Sequence, residues 1–94
     1  MDTLDTERIR IAANLADAAD DFEHESQQDL WSTTRIATGL ASTARQLHCL
    51  ARRTLDPTEP LDVLEAYVDA ANTTVKATHS ARRFLESLGN GGAL

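Results

Sequence analysis

Residues 56–88 read DPTEPLDVLEAYVDAANTTVKATHSARRFLESL, and this stretch decides the fold. Pro57 and Pro60 end any helix that arrives at them, because proline lacks the backbone donor and clashes with the preceding turn. Asp56 with Glu59, or Thr58 with Asp62, then supply capping groups for a new helix. From Leu61 onward the residues Leu61, Leu64, Val68, Ala71, Val75, Thr78, Arg82 and Leu85 recur at alternating spacings of three and four, the repeat that keeps one helical face turned to a neighbour. The spacing predicts a helix over 60–88. Gly89 is expected as its left-handed cap, with 89–94 as a flexible glycine-rich tail.

Working outward, the same 4-3 rhythm appears at the N-terminus in Leu4, Arg8, Ile11, Leu15, Ala18 and Phe22, broadened by Ile9, Ala12, Ala16 and Ala19. Asp2, Asp5 and Glu7 crowd the first turn, where the helix dipole favours negative charge. A helix is expected over about 4–24. The apolar pattern then lapses through Glu23–Asp29. Ser26 with Asp29 resembles a capping box ahead of Leu30 and Trp31, so a break is preferred over one long kinked rod. A second helix is expected over about 28–54, with the stripe Ile36, Leu40, Thr43, Leu47 and Leu50 flanked by Ala37, Ala41, Ala44 and Ala51. Gly39 inside it reads either as a locally weak helix or as a smooth strip for close helix approach. No strand-like alternation occurs. The expected fold is all-α: a small antiparallel three-helix bundle, or a long helical hairpin, forming a single domain over 1–88.

Composition sets further bounds. The chain has 94 residues and a net charge of −6, enough for one small domain. It contains no long uncharged apolar run, so no membrane span is expected, and the acidic start does not resemble a secretion leader. Fifteen alanines and only Phe22, Trp31, Tyr67 and Phe84 as aromatics make a thin core, which is expected to be completed by dimerisation. Cys49 is the single cysteine. It reads as a small buried hydrophobe in a reducing, cytoplasmic setting, and the adjacent His48 projects too far around the helix to form a catalytic pair with it.

The charge is partitioned. Residues 1–30 carry nine acids against two arginines, a net of −7. Residues 31–55 carry four arginines and no acid, +4, and residues 56–94 carry six acids against three bases, −3. The favoured reading places the basic second helix between two acidic ones; the alternative turns its arginines toward a partner. Trp31 reads as a lid on the core or as an anchor on a partner surface. The candidate partner-binding residues are therefore Trp31, Arg35, Arg45, Arg52 and Arg53.

No catalytic, cofactor or metal site is expected. His24, His48 and His79 fall one to a helix, at phases that do not converge and without the short spacing of bundle metal sites. There is no glycine-rich phosphate loop and little chain to enclose a pocket. The overall acidity argues against nucleic acid as the main partner. His79-Ser80-Ala81-Arg82-Arg83 followed by Leu88-Gly89 resembles the phosphorelay histidine-phosphotransfer motif, which implies a signalling module using His79, although Arg83 stands where that motif has a small residue. Pro57-Thr58-Glu59-Pro60 with Asn72–Lys76 is similar to the turn and second helix of type III secretion needle subunits. The size and acidity also resemble the paired helical substrates of type VII secretion, but Thr33 replaces the glycine of their signature after Trp31. These likenesses imply a secretion-apparatus component. The leading expectation is a non-enzymatic interaction protein, an adaptor, regulator or inhibitor, whose partner is its own copy, another protein, or both.

Overall fold

The computed structural model describes residues 3–92, and side chains from Thr6 to Gly89. Three helices make up the fold: α1 (Thr3–Ser26), α2 (Arg35–Thr54) and α3 (Leu61–Gly92). The domain is a rod measuring 60 × 19 × 17 Å. Helix α1 is its spine. Both α2 and α3 pack along it, while α2 and α3 barely touch each other. Since Arg10 of α1 pairs with Glu65 near the start of α3, and Glu25 near the end of α1 pairs with Arg82, α1 and α3 run parallel and α2 runs back between them in sequence. The chain is an up-down-up bundle and not a two-helix hairpin.

The core follows from the stripes. Ile11, Leu15, Ala18 and Phe22 of α1 are buried as the 4-3 spacing requires, and Ala19 beside them is also fully buried. A helix flanked on two sides needs a wide apolar face, and the alanines provide it without holding the neighbours away. On α3, Leu64, Val68, Ala71 and Val75 are buried against α1 as expected. On α2 the buried set is Leu40, Ala44, Leu47, Ala51 and Thr54, so the interface runs along the alanine edge of the anticipated stripe. Thr43 and Leu50 lie at its margin and Ile36 is exposed.

Two charged residues interrupt the apolar stripes, and each fastens one end of the packing against α1. Arg8 reaches across to the turn between α2 and α3, donating to the carbonyls of Thr54, Asp56, Pro57 and Glu59 at 2.8–3.4 Å. That turn has few backbone hydrogen bonds of its own, among them Glu59 N–H to the Asp56 carbonyl, so one guanidinium serves several carbonyls there. Asp56 caps the same turn by accepting from the Thr58 amide and hydroxyl. Arg82 performs the corresponding task at the opposite end.

Several expectations are corrected. Helix α2 begins at Arg35 and not near residue 28; residues 27–34 form a chain of tight turns. Ser32, Thr33 and Thr34 are poor helix formers, and Thr34 instead caps α2 by accepting from the Ile36 amide. Ser26 is not a cap: its hydroxyl donates back to the Glu23 carbonyl as the last residue of α1. The break between the first two helices is real. At the other end α3 does not stop at Leu88. It continues through Gly92, and no described glycine has the positive φ of a left-handed cap; positions 93 and 94 of the anticipated tail lie outside the described residues. Gly39 faces open space, with nothing within 4 Å of where a Cβ would stand, so it is a weak point in α2 and not a close-approach site. Cys49 is exposed, not buried.

The charge reading is also revised. The basic α2 does not lie between two acidic helices; acidic α1 is the central element. Among the described residues no arginine of α2 pairs with an acid of α1 or α3, and the α1–α2 ionic contact is His48 Nε2 to Asp20 Oδ1 at 3.3 Å. Among the described residues, the contacts Arg10–Glu65, Arg82–Glu25 and His79–Glu25 join α1 to α3.

Candidate interaction surface

Of the two roles anticipated for Trp31, the structure shows the core one. Its ring is 5% exposed, closing the upper end of the bundle, and its Nε1 donates to Glu25 Oε2 at 2.7 Å. Glu25 is itself 3% exposed. It also receives Arg82 Nε at 2.6 Å, while Arg82 Nη1 reaches Glu86 at 2.9 Å. His79 Nδ1 lies 3.3 Å from Glu25 and 2.9 Å from Arg82 Nη2, so it accepts from Arg82 when unprotonated and donates to Glu25 when protonated. Burial alone would push the Glu25 carboxyl upward. The hydrogen bonds from Arg82, Trp31 and His79 outweigh it and hold the group below the usual carboxylate range. The same contact with Glu25 raises the Arg82 guanidinium further above its already high value.

A cleft of about 490 Å³ opens beside this cluster, lined by Asp21, His24, Lys76 and His79 among others. Two of the three histidines therefore share one cleft, a convergence their sequence phases did not suggest. His48 lies elsewhere, where its ring nitrogen and carboxylate oxygens of Asp20 and Glu23 fall within 4.8 Å of one another on the exposed α1–α2 flank. Of the two carboxylates that line the cleft, Glu25 is already saturated by donors and Asp21 is exposed. The basic residue that carried the phosphotransfer likeness, Arg82, is committed to Glu25 and Glu86. What this cluster visibly does is bolt the upper ends of α1 and α3 to the 27–34 segment.

The four arginines proposed for partner contact, Arg35, Arg45, Arg52 and Arg53, are all exposed. Arg53 pairs with Glu59 at 3.0 Å, and Arg52 donates to Cys49 Sγ at 3.3 Å. Arg35 and Arg45 have no ion pair among the described residues. Exposed charges of this kind influence encounter more than affinity.

The dominant exposed feature lies instead on α3. Val63, Tyr67, Phe84, Leu85 and Leu88 are 44–62% exposed. Val63, Tyr67, Ala70, Thr74, Ala77, Ala81, Phe84 and Leu88 repeat the 4-3 alternation along the whole helix. This is a second seam, about 100° around the helix from the one packed on α1. Ala66, Thr73, Ser80 and Ser87 border it, so nearly half the circumference of α3 carries no charge. Its middle section forms one wall of a groove of about 220 Å³ whose opposite wall is Gln46, Leu47 and Leu50 of α2 and whose lining includes Phe22. Beyond Arg82 the helix outruns α1, which ends at Ser26. The ten helical residues after Arg82 project by about 15 Å, and Phe84, Leu85 and Leu88 there are 44–62% exposed. Sequence reading missed these residues because the neighbouring stripe is richer in leucine and valine. The signal was present: the same spacing recurs one residue earlier.

Comparison with protein-family models, curated proteins and solved structures gave no match to this chain.

Proposed function

We propose that this chain is a non-enzymatic protein–protein interaction module, an adaptor or regulator that works through its helix faces, with a protein partner and in the cytoplasm. The carrying observation is the exposed seam of α3. Contiguous apolar surface of this kind marks contact sites on small soluble domains, and a 32-residue helix presenting Tyr67, Phe84 and Leu88 on one uncharged face has the anchors of a helix-in-groove or helix-on-helix contact. Glu25 and Arg82 hold helices together and Arg8 holds a turn, so these three charged side chains serve the fold. A net charge of −6 disfavours nucleic acid as the main partner, no described helix is long and apolar enough to cross a membrane, and an exposed free thiol at Cys49 suits a reducing compartment.

Site-specific photo-crosslinking in cells tests this reading. A photoreactive residue at Ala70 or Ala77, on the seam, is expected to give protein adducts, whereas one at Glu65, on the charged face, is expected to give none. Absence of any protein adduct from the seam would overturn the proposal.

A further inference from the structure

We infer that the partner seated on the α3 seam is a second copy of this chain, with the two α3 helices packed antiparallel about a twofold axis near residues 75–76; this rests on the reading of α3 as the contact face. The seam is self-complementary in one register. Antiparallel alignment places Val63 opposite Leu88 of the second copy, Tyr67 opposite Phe84, Ala70 opposite Ala81 and Thr74 opposite Ala77. Each layer pairs one heptad core position with the other kind, as antiparallel two-helix packing requires. Side-chain size is matched layer by layer. The two outer layers at each end join large residues, and the central layers join alanine and threonine, allowing close backbone approach at the axis. The bordering Ala66, Thr73, Ser80 and Ser87 are small and neutral, so nothing on that rim obstructs the approach.

Charge selects the direction. The row just outside the small rim reads Asp62, Asp69, Lys76, Arg83. In the antiparallel register Asp69 stands level with Arg83 of the second copy, twice by symmetry. A twofold parallel pair would carry the two copies of this row on opposite sides of the seam, so neither Asp69–Arg83 pairing would form and only the antiparallel arrangement gains them. Lys76 meets its own copy at the antiparallel axis, one like-charge contact against the two opposite-charge ones. A twofold contact is isologous and closes on itself, so the α3 seams would be covered in a dimer and would not propagate into fibres.

The experiment uses purified full-length chain in a Cys49→Ser background. Light scattering coupled to size exclusion should give twice the 10.3 kDa chain mass at tens of micromolar, and Ala70→Glu with Ala77→Glu should return the monomer with helicity unchanged, since both positions are exposed. Register is then read from disulfides. The Ala70→Cys/Ala81→Cys double variant should oxidise to a covalent dimer, while Ala70→Cys alone should not, because its two copies stand about 16 Å apart along the axis. Equal cross-linking by the single variant would overturn the antiparallel register. A monomer at 100 μM would overturn the homodimer. Seam adducts in cells to a different protein would leave the interaction reading standing while refuting this one; no seam adduct at all would remove both.

Discussion

Glu25→Ala is the most informative single substitution, because it strands two donors at once. In the native protein Oε2 of Glu25 accepts from Arg82 Nε at 2.6 Å and from Trp31 Nε1 at 2.7 Å, and neither donor can reach water without moving: the Arg82 side chain is 11% exposed and Trp31 5%. Removing one partner of a buried ion pair costs about 3–5 kcal/mol. Arg82 keeps Glu86, which places its share at the lower end. An unsatisfied indole N–H adds about 1–3 kcal/mol. The two overlap, and a total loss of about 4 kcal/mol is expected. That is a large part of the ~5–15 kcal/mol by which small domains are stable, and corresponds to a fall in Tm of roughly 15–30 °C. Glu25→Gln keeps one carbonyl acceptor for two donors and should lose about 1–2 kcal/mol. Urea unfolding followed at fixed protein concentration by far-ultraviolet circular dichroism and by fluorescence measures both. Trp31 is the single tryptophan, so its emission reports on this cluster alone. In a cycle with Arg82→Ala the double variant should lose about 1–3 kcal/mol less than the sum of the single ones. A Glu25→Ala protein within 1 kcal/mol of wild type, or singles that simply add, would refute the assignment of the cluster as the bolt between α1, α3 and the 27–34 segment.

Arg8→Ala removes the donor shared by four turn carbonyls and should destabilise by about 2 kcal/mol, with hydrogen exchange rising first in residues 54–60; unchanged exchange there would contradict the clasp. Gly39→Ala meets open space on an exposed helix position and should stabilise by up to about 1 kcal/mol, read as a higher urea midpoint. The depressed carboxyls of Glu25 and Asp56 mean that the unfolded chain binds more protons near pH 4 than the folded one. Their stabilisation is therefore complete above the ordinary carboxylate values and is lost as pH falls below about 4.5 toward the depressed values. Unfolding midpoints should drop steeply between pH 5 and pH 3, and Glu25→Gln should flatten that slope.

Much of the fold was legible because the information was local or periodic. The prolines at 57 and 60 separate α2 from α3 whatever surrounds them, and the 4-3 stripes of α1 and α3 name nearly all the buried residues of those helices. Arg8 and Arg82 stood in the apolar stripes as apparent faults. Each is instead the long polar arm that fastens one end of the packing against α1, a role set by what lies 46–57 residues away in sequence and invisible to periodicity. The start of α2 was misplaced because a run of Ser and Thr leaves helix and turn close in energy, and the burial of Trp31 against Glu25 decides between them.

Composition and spacing thus determined that the chain forms three helices, which face of α1 is buried, and that charge alternates by segment. Only tertiary packing decided which helix is central. Segment charge implied α2, but surface ion pairs are worth too little to order a bundle, whereas the apolar face of α1, with Ile11, Leu15, Ala18, Ala19 and Phe22 all buried, covers both neighbours. The same packing decided which of the two 4-3 seams on α3 is consumed inside the chain. A helix displays both seams equally in its sequence; the one that meets α1 becomes core, and the one left over, from Val63 to Leu88, becomes the surface through which the protein meets its partner in the proposed dimer.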